Sequence, residues 1–270
     1  MNKKIGLALS GGAARGLAHI GVLEVLHKEG IPIDMIAGTS AGAVMGAIYA
    51  SRLDISFMVK EAMDANWKKL APLIDPSLLK SGFIKGKKIK NLLAGYIGGN
   101  LKFTDLKIPF ACVATDIETG EEIVIDSGQV PDAMRASISI PGIFTVVKRD
   151  GRFLVDGGLT TPIPINVVKK MGAEFIIAVN VNPDMTSRIS KTRRYKRRNE
   201  PNIFQIMMQS IYITTYALSH TCLVNADIII EPDLTNISAG DFNRAGELIE
   251  QGRQAAQEAM PEIKKKLAEL

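Results

Sequence analysis

Cysteine and histidine are scarce, with 2 and 3 copies in 270 residues. Cys112 and Cys222 stand far apart in apolar surroundings, a usage that implies no disulfide framework and fits a reducing compartment. No His, Cys, Asp and Glu residues recur at metal-ligand spacing, so neither a metal (Ca²⁺ included) nor a cofactor is expected. Long hydrophobic runs are missing as well. Residues 35–51 are uncharged but are interrupted by the turn "GTSAG". Residues 201–226 carry Asn202, Gln205, Gln209 and Asn225. Neither stretch is the continuous apolar run of about 20 residues that a membrane span requires. At the N-terminus the apolar run Ile5 to Leu9 is too short for a signal peptide, and Gly11, Gly12 and Arg15 follow at once. The expectation is a cytoplasmic protein, with peripheral membrane contact left open.

What is present looks globular: 46% hydrophobic and 23% charged residues, a balance far from that of disordered chains. The length suits one domain over 1–270. The net charge of +5 is local in origin, because "RISKTRRYKRR" at 188–198 holds seven basic residues and no acidic one. A second cluster comprises Lys80, Lys85, Lys87, Lys88 and Lys90. The run at 188–198, within a basic loop over 185–200, suits peripheral contact with an anionic membrane. It suits a solvated surface loop equally well. No nucleic-acid motif accompanies it, so no nucleic acid is expected as a partner. Homodimerisation stays open.

Short apolar runs alternate with helical patterns. "KIGLALS", "DMIAGT", "PFACVATDI", "EEIVIDSG", "RFLVDGG", "EFIIAVNVN" and "ADIIIEPDL" read as strands, most of them continuously apolar rather than alternating. Strands buried on both faces look this way. The expected fold is therefore α/β, a three-layer sandwich around a mostly parallel central sheet. "RGLAHIGVLEVLHKEG" reads as a helix closed by Gly30. Residues 53–100, helical and Lys-rich, read as an inserted helical cap within the domain.

Two strand-to-helix turns carry the chemistry. In "DMIAGTSAGAVMG" the strand runs into Gly38-Thr39-Ser40-Ala41-Gly42 and directly on into a helix. A nucleophile elbow has this form: a serine on a strained turn, small residues two before and two after it, and a helix N-terminus aimed at the developing oxyanion. In "LALSGGAARGLAHIG" the turn Gly11-Gly12-Ala13-Ala14-Arg15-Gly16 allows two readings. One is a dinucleotide phosphate loop, with Asp34 at the distance of a ribose-binding acid; the middle glycine of that fingerprint is here Ala13. The other is an oxyanion loop whose exposed amides meet a developing negative charge. A serine also needs a base. Asp156 ends the apolar run "RFLV" and is followed by Gly157 and Gly158, which places a carboxylate at a strand terminus with room for close backbone approach. His220 completes the order Ser…Asp…His of a triad but lies inside a helical pattern, as do His19 and His27. A Ser40–Asp156 dyad is the preferred assignment.

Four motifs in this order, "GGAARG", "GTSAG", "ASISIPGIF" and "DGG", make the sequence similar to bacterial patatin-like phospholipases, with matching spacing from residue 5 to about 180. The resemblance implies hydrolysis of an acyl ester of a phospholipid or other lipid by a Ser–Asp dyad without histidine, here Ser40 and Asp156. It also implies an oxyanion hole at Gly11, Gly12, Ala13 and Arg15, the nucleophile elbow glycines Gly38 and Gly42, and the DGG glycines Gly157 and Gly158. The sequence departs from the family at Ala13, where glycine is usual. A non-catalytic membrane-associated or regulatory protein on the same fold is the alternative.

Overall fold

A computed structural model of the chain describes residues 3–64, 86–182 and 200–269. Lys80, Lys85, the Lys87 side chain and the basic run 188–198 lie outside the described residues. The sheet is built from β1 (Ile5–Leu9), β2 (Met35–Thr39), β3 (Phe110–Asp116), β4 (Glu122–Ile125), β5 (Val147–Arg149), β6 (Arg152–Asp156), β7 (Phe175–Val179) and β8 (Ile228–Ile230). Its order is β5-β6-β3-β2-β1-β7-β8, with β4 paired to β3. β3, β2, β1, β7 and β8 are mutually parallel. β4, β5 and β6 add an antiparallel margin.

The helices are α1 (Ala18–Lys28), α2 (Ala41–Arg52), α3 (Ile55–Asp64), α4 (Gly86–Ile97), α5 (Val130–Ser137), α6 (Ile165–Lys170), α7 (Ile203–Cys222) and α8 (Ala245–Ala268). They cover both faces of the sheet, and the strands divide their side chains between two cores. Leu7, Leu9, Ile36, Phe110, Cys112 and Ile177 point into the larger one, with residues of α1, α2, α3, α4, α5 and α8. Ala8, Ala37, Ala111, Val113 and Ala178 point into the smaller one, with α6. The small residues let α6 lie close: a Cβ on Gly6 would stand 2.4 Å from Val168 Cγ1. Covering both faces is what made the strands continuously apolar in sequence. Met58, Ala62, Ile89, Leu93 and Ile97 of α3 and α4 join the larger core, and residues 65–85 between those helices lie outside the described residues.

The first helix departs from the sequence pattern. Residues Ala13–Leu17 form a 3-10 turn, and α1 starts only at Ala18. Ala13 sits at φ 51°, a left-handed value that an α-helix cannot include. α1 ends at Lys28, and Gly30 follows at φ 69°. α8 lies against α1 at backbone contact. A Cβ on Gly21 would fall 1.9 Å from the Ile249 carbonyl oxygen, and one on Gly252 would fall 1.9 Å from that of Ala18. No helix among the described residues is long and apolar enough to cross a membrane.

Candidate active site

The register of β3 explains how residues 116 positions apart come together. β4 occupies one edge of β3, opposite residues 112–115. β2 and β6 must therefore share the other edge, with Thr39 opposite Val113 and Asp156 opposite Ala114. β2 runs parallel to β3 and β6 antiparallel, so the two strands run head to head and stop at the same point. Ser40 follows the end of one, and Asp156 is the end of the other. Ser40 Oγ donates a hydrogen bond to Asp156 Oδ2 at 2.5 Å. Both residues are buried, at 6% and 7% exposure.

Each half of the junction has its local cause. Ser40 adopts φ 53°, ψ −118°, a left-handed conformation that costs a serine about 1–3 kcal/mol and persists only where its surroundings enforce it. A Cβ on Gly38 would lie 2.5 Å from Gly42 O, and one on Gly42 would lie 2.2 Å from Leu9 O. The strained turn thus fits only because both positions lack a side chain. α2 begins at Ala41 and aims its N-terminus at the serine. On the other side, Gly158 N–H donates to Asp156 Oδ1 at 2.8 Å, and a Cβ on Gly157 would stand 2.3 Å from Val113 O. Burial pushes the Asp156 carboxyl up from 3.8 to about 6, against the Ser40 hydroxyl and Gly158 amide that pull it down. Near neutral pH such a carboxylate is a better proton acceptor than an exposed one.

The glycine loop lies beside this junction, since β1 neighbours β2 and a Cβ on Gly16 would meet Ala41 Cβ at 2.3 Å. Its amides are not equivalent. Gly11 N–H donates to Pro162 O at 3.0 Å and Arg15 N–H to Gly12 O at 3.1 Å, while Arg15 Nε donates to Ile237 O. The set of four drawn from the sequence therefore narrows for a physical reason. Of the four, the Gly11 and Arg15 amides already have acceptors, whereas the Gly12 and Ala13 N–H groups have none among the described residues. Ala13 holds its amide there in the left-handed conformation that a glycine would take without strain.

The histidines are not at the junction. His220 is exposed on α7 and sets its ring edge-on to Tyr216, so the triad alternative lacks its third member. His19 is fully buried, donates from Nε2 to Ser10 O, and is held neutral by desolvation at a pKa of about 4. His27 pairs with the Tyr49 hydroxyl. Asp34, the acid of the dinucleotide reading, lies at the N-terminal end of β2 and accepts from Ile5 N–H. That is the end of the sheet opposite to the loop, where no ribose held by the loop would reach it. Among the described residues no cluster of three potential metal ligands occurs.

Sequence reasoning missed several contributors. Ser137 and Ser139 hold both halves of the junction from α5 and the segment after it: Ser40 N–H donates to Ser137 Oγ, and Asp156 N–H donates to Ser139 O. The signal was polar residues inside the otherwise apolar "ASISIPGIF". A cleft of about 40 Å³ opens on Ser40, Asp156 and the loop, roofed by Met208, Ile211, Tyr212 and Thr215 of α7. α7 shows apolar side chains on its outer side too, with Ile203, Ile206 and Ile213 exposed.

Residues 7–169 match the family model of patatin-like phospholipases. An uncharacterised NTE family protein of Mycobacterium bovis is 37% identical over 66% of this chain and 49% of its own length. Lysophospholipase NTE1 of Scheffersomyces stipitis is 30% identical over 93% of this chain and 17% of its own. The crystal structure of VipD from Legionella pneumophila aligns with a TM-score of 0.64 at 14% identity, covering 97% of this chain and 67% of that one; at that identity the likeness concerns the fold. The chain spans half or less of the length of these curated relatives.

Proposed function

The chain belongs to the patatin-like phospholipase family, and from that premise we propose that it is a serine lipid acyl hydrolase working through a Ser40–Asp156 dyad in one domain spanning 1–270. The observation that carries this reading is the buried 2.5 Å hydrogen bond from Ser40 Oγ to a carboxylate whose pKa burial has raised to about 6. Asp156 takes the Ser40 proton as Oγ attacks the ester carbonyl. The oxyanion forms against the Gly12 and Ala13 amides and the N-terminus of α2. Collapse of the tetrahedral intermediate expels the alcohol, which takes the proton back from Asp156. The same carboxylate then draws a proton from water, the hydroxide attacks the acyl-serine, and the fatty acid leaves as Ser40 is reprotonated.

The substrate class follows from the lining. Ile140, Pro141, Leu159, Met208 and Ile211 offer apolar surface beside the dyad, which suits an acyl chain, a phospholipid or another acyl-ester lipid. Methionine in such a lining adapts to variable chain shape. The exposed isoleucines of α7, with the sequence-adjacent basic run 188–198, support approach to an anionic lipid surface.

A second reading, a non-catalytic membrane-associated protein, draws on the narrowness of the 40 Å³ cleft under α7, which has room for little more than water. Labelling with a fluorophosphonate probe separates the two, with short-chain ester hydrolysis measured alongside. The wild type is expected to label and turn over, and Ser40→Ala and Asp156→Asn to lose both by about 10³-fold or more. A folded wild type that does not label, with lipid vesicles present, rejects the hydrolase.

A further inference from the structure

Two strands that end head to head leave a seam in the sheet. Where β2 stops at Thr39 and β6 stops at Asp156, the carbonyl of Val113 on β3 faces the junction, and the Ser40 amide turns off β2 toward it. Buried backbone groups of this kind need partners. A single side chain supplies both: Ser137 Oγ accepts from Ser40 N–H at 2.8 Å and donates to Val113 O at 2.6 Å. Ser137 is wholly buried and is the last residue of α5. Two residues further on, Ser139 O accepts from Asp156 N–H at 3.0 Å. One short stretch of chain therefore holds the nucleophile turn by a hydroxyl and the base strand by a carbonyl.

That stretch is braced in turn. Arg135 Nη1 donates to Ser139 Oγ at 2.5 Å, Nη2 donates to Thr145 O at 2.7 Å, and its guanidinium lies over the Phe144 ring. Ser139 Oγ donates back to Arg135 O at 2.8 Å. An arginine bound to the two ends of the loop keeps residues 139–145 from swinging away from α5.

Resting on the dyad reading, we infer that Ser137 is a positioning residue: its hydroxyl ties the Ser40 turn to β3 across the seam and so sets the distance from Ser40 Oγ to Asp156. It touches no reacting atom. Its action is on geometry that the strained Ser40 backbone would otherwise relax, and on the hydrogen bond that helps to keep the Asp156 carboxylate charged.

Three variants test this in the full chain: Ser137→Ala, Ser137→Thr, and Val130→Ala as a control. The control removes buried apolar volume from the other end of α5 and matches a purely structural loss. The readouts are the fluorophosphonate labelling rate, kcat and KM for a short-chain ester, and the pH profile. Ser137→Ala is expected to lower the labelling rate and kcat by 10- to 100-fold with KM within threefold. Its acidic limb moves above that of the wild type, because the Ser40 bond that holds the Asp156 carboxyl down is loosened. Val130→Ala lowers the melting temperature and leaves the limb in place. Ser137→Thr, which keeps the hydroxyl, retains the wild-type limb even if its extra methyl reduces stability, so it decides the matter should the alanine variant not fold. Ser137→Ala labelling as fast as Val130→Ala, or Ser137→Thr with a displaced limb, overturns the inference while leaving the dyad intact. A wild type that does not label overturns both.

Discussion

The flank where α8 packs on α1 and the edge where β2 meets β6 are built on opposite terms. On the first, two helices approach until backbone touches backbone, glycine against carbonyl at Gly21 and Gly252. Arg253 bonds Glu24, and Lys264 bonds Glu29, at the margin. That flank holds neither a strained residue nor a desolvated charge. At the second, Ser40 and Ala13 hold positive φ, Asp156 is buried as an acid, and α7 exposes isoleucine to water. A chain folds by making most of its local choices agree, and disagreements concentrate where function requires them. The contrast therefore separates residues that hold the fold from residues that the fold has to hold.

The largest effect is expected on the quiet flank. In Gly252→Ala the new methyl would meet the Ala18 carbonyl oxygen at 1.9 Å, and a backbone oxygen cannot rotate aside. Helix α8 must lift from α1, at a cost on the order of 4 kcal/mol, above the usual range for overpacking. Gly21→Ala acts on the same interface from the other side. Thermal unfolding is expected to show each variant strongly destabilised, and the double variant less than additive because one separation relieves both contacts. Unaltered melting temperatures would mean that the two helices are not in backbone contact.

At the edge, removing a functional group is expected to stabilise. Burial raises the Asp156 pKa from 3.8 to about 6, so the acid form is the one that folding favours. The favourable contribution is complete below about pH 3.8 and is lost as pH rises through about 6. Keeping the charge at pH 8 costs on the order of 3 kcal/mol. Asp156→Asn lacks that cost but loses part of the bonding to Ser40 and Gly158. A net gain of about 2 kcal/mol is expected at pH 8, shrinking to nothing near pH 4, in melting curves across that range. The same pKa sets the acidic limb of the wild-type activity, which falls as pH drops through about 6.

Much of this contrast was legible in the sequence, and unevenly so. Continuous apolar runs announced a sheet buried on both faces, because that pattern follows from burial alone. "GTSAG" announced the turn at Ser40, because only small residues at 38 and 42 admit the crossing of Leu9 and Ala43 backbone. Asp156 was readable as a strand-end carboxylate. That β2 and β6 share one edge of β3 was not readable, since register depends on non-local pairings, Thr39 with Val113 and Ala114 with Asp156, that no local pattern specifies. The roles of Ser137 and Ser139 follow from that register and stayed hidden with it. The bonding of the loop is hidden for the same kind of reason: nothing local to "GGAARG" reveals that Pro162 O takes the Gly11 amide.

A smaller effect separates strain from chemistry in that loop. Ala13 at φ 51° gives up about 1–2 kcal/mol relative to an ordinary conformation, and a glycine relieves this at the expense of a more flexible unfolded chain. Ala13→Gly is expected to gain about 0.5–1 kcal/mol. Its amide stays in place, so labelling of Ser40 should change by no more than about threefold. A variant that melts lower than the wild type would show that the alanine methyl makes contacts worth more than the strain.

The smallest effect on stability is expected on the outer side of α7. A surface helix is ordinarily apolar on one face and charged on the other, yet the 20 residues of α7 contain no Asp, Glu, Lys or Arg. Ile203 is 81% exposed and Ile213 52%. Side chains already in water contribute little to folding, so Ile203→Ser and Ile213→Ser should alter the unfolding free energy by less than about 0.5 kcal/mol. If α7 meets a lipid surface, each would instead forfeit about 1–2 kcal/mol of burial there, and co-sedimentation with anionic vesicles should weaken roughly tenfold per substitution. Hydrolysis of a soluble short-chain ester, which needs no surface, would stay near the wild-type rate. Unchanged vesicle binding with reduced self-association in the ultracentrifuge would assign the face to a second copy of the chain. A drop in melting temperature would show that α7 is held like α8, and the contrast between the two flanks would fail.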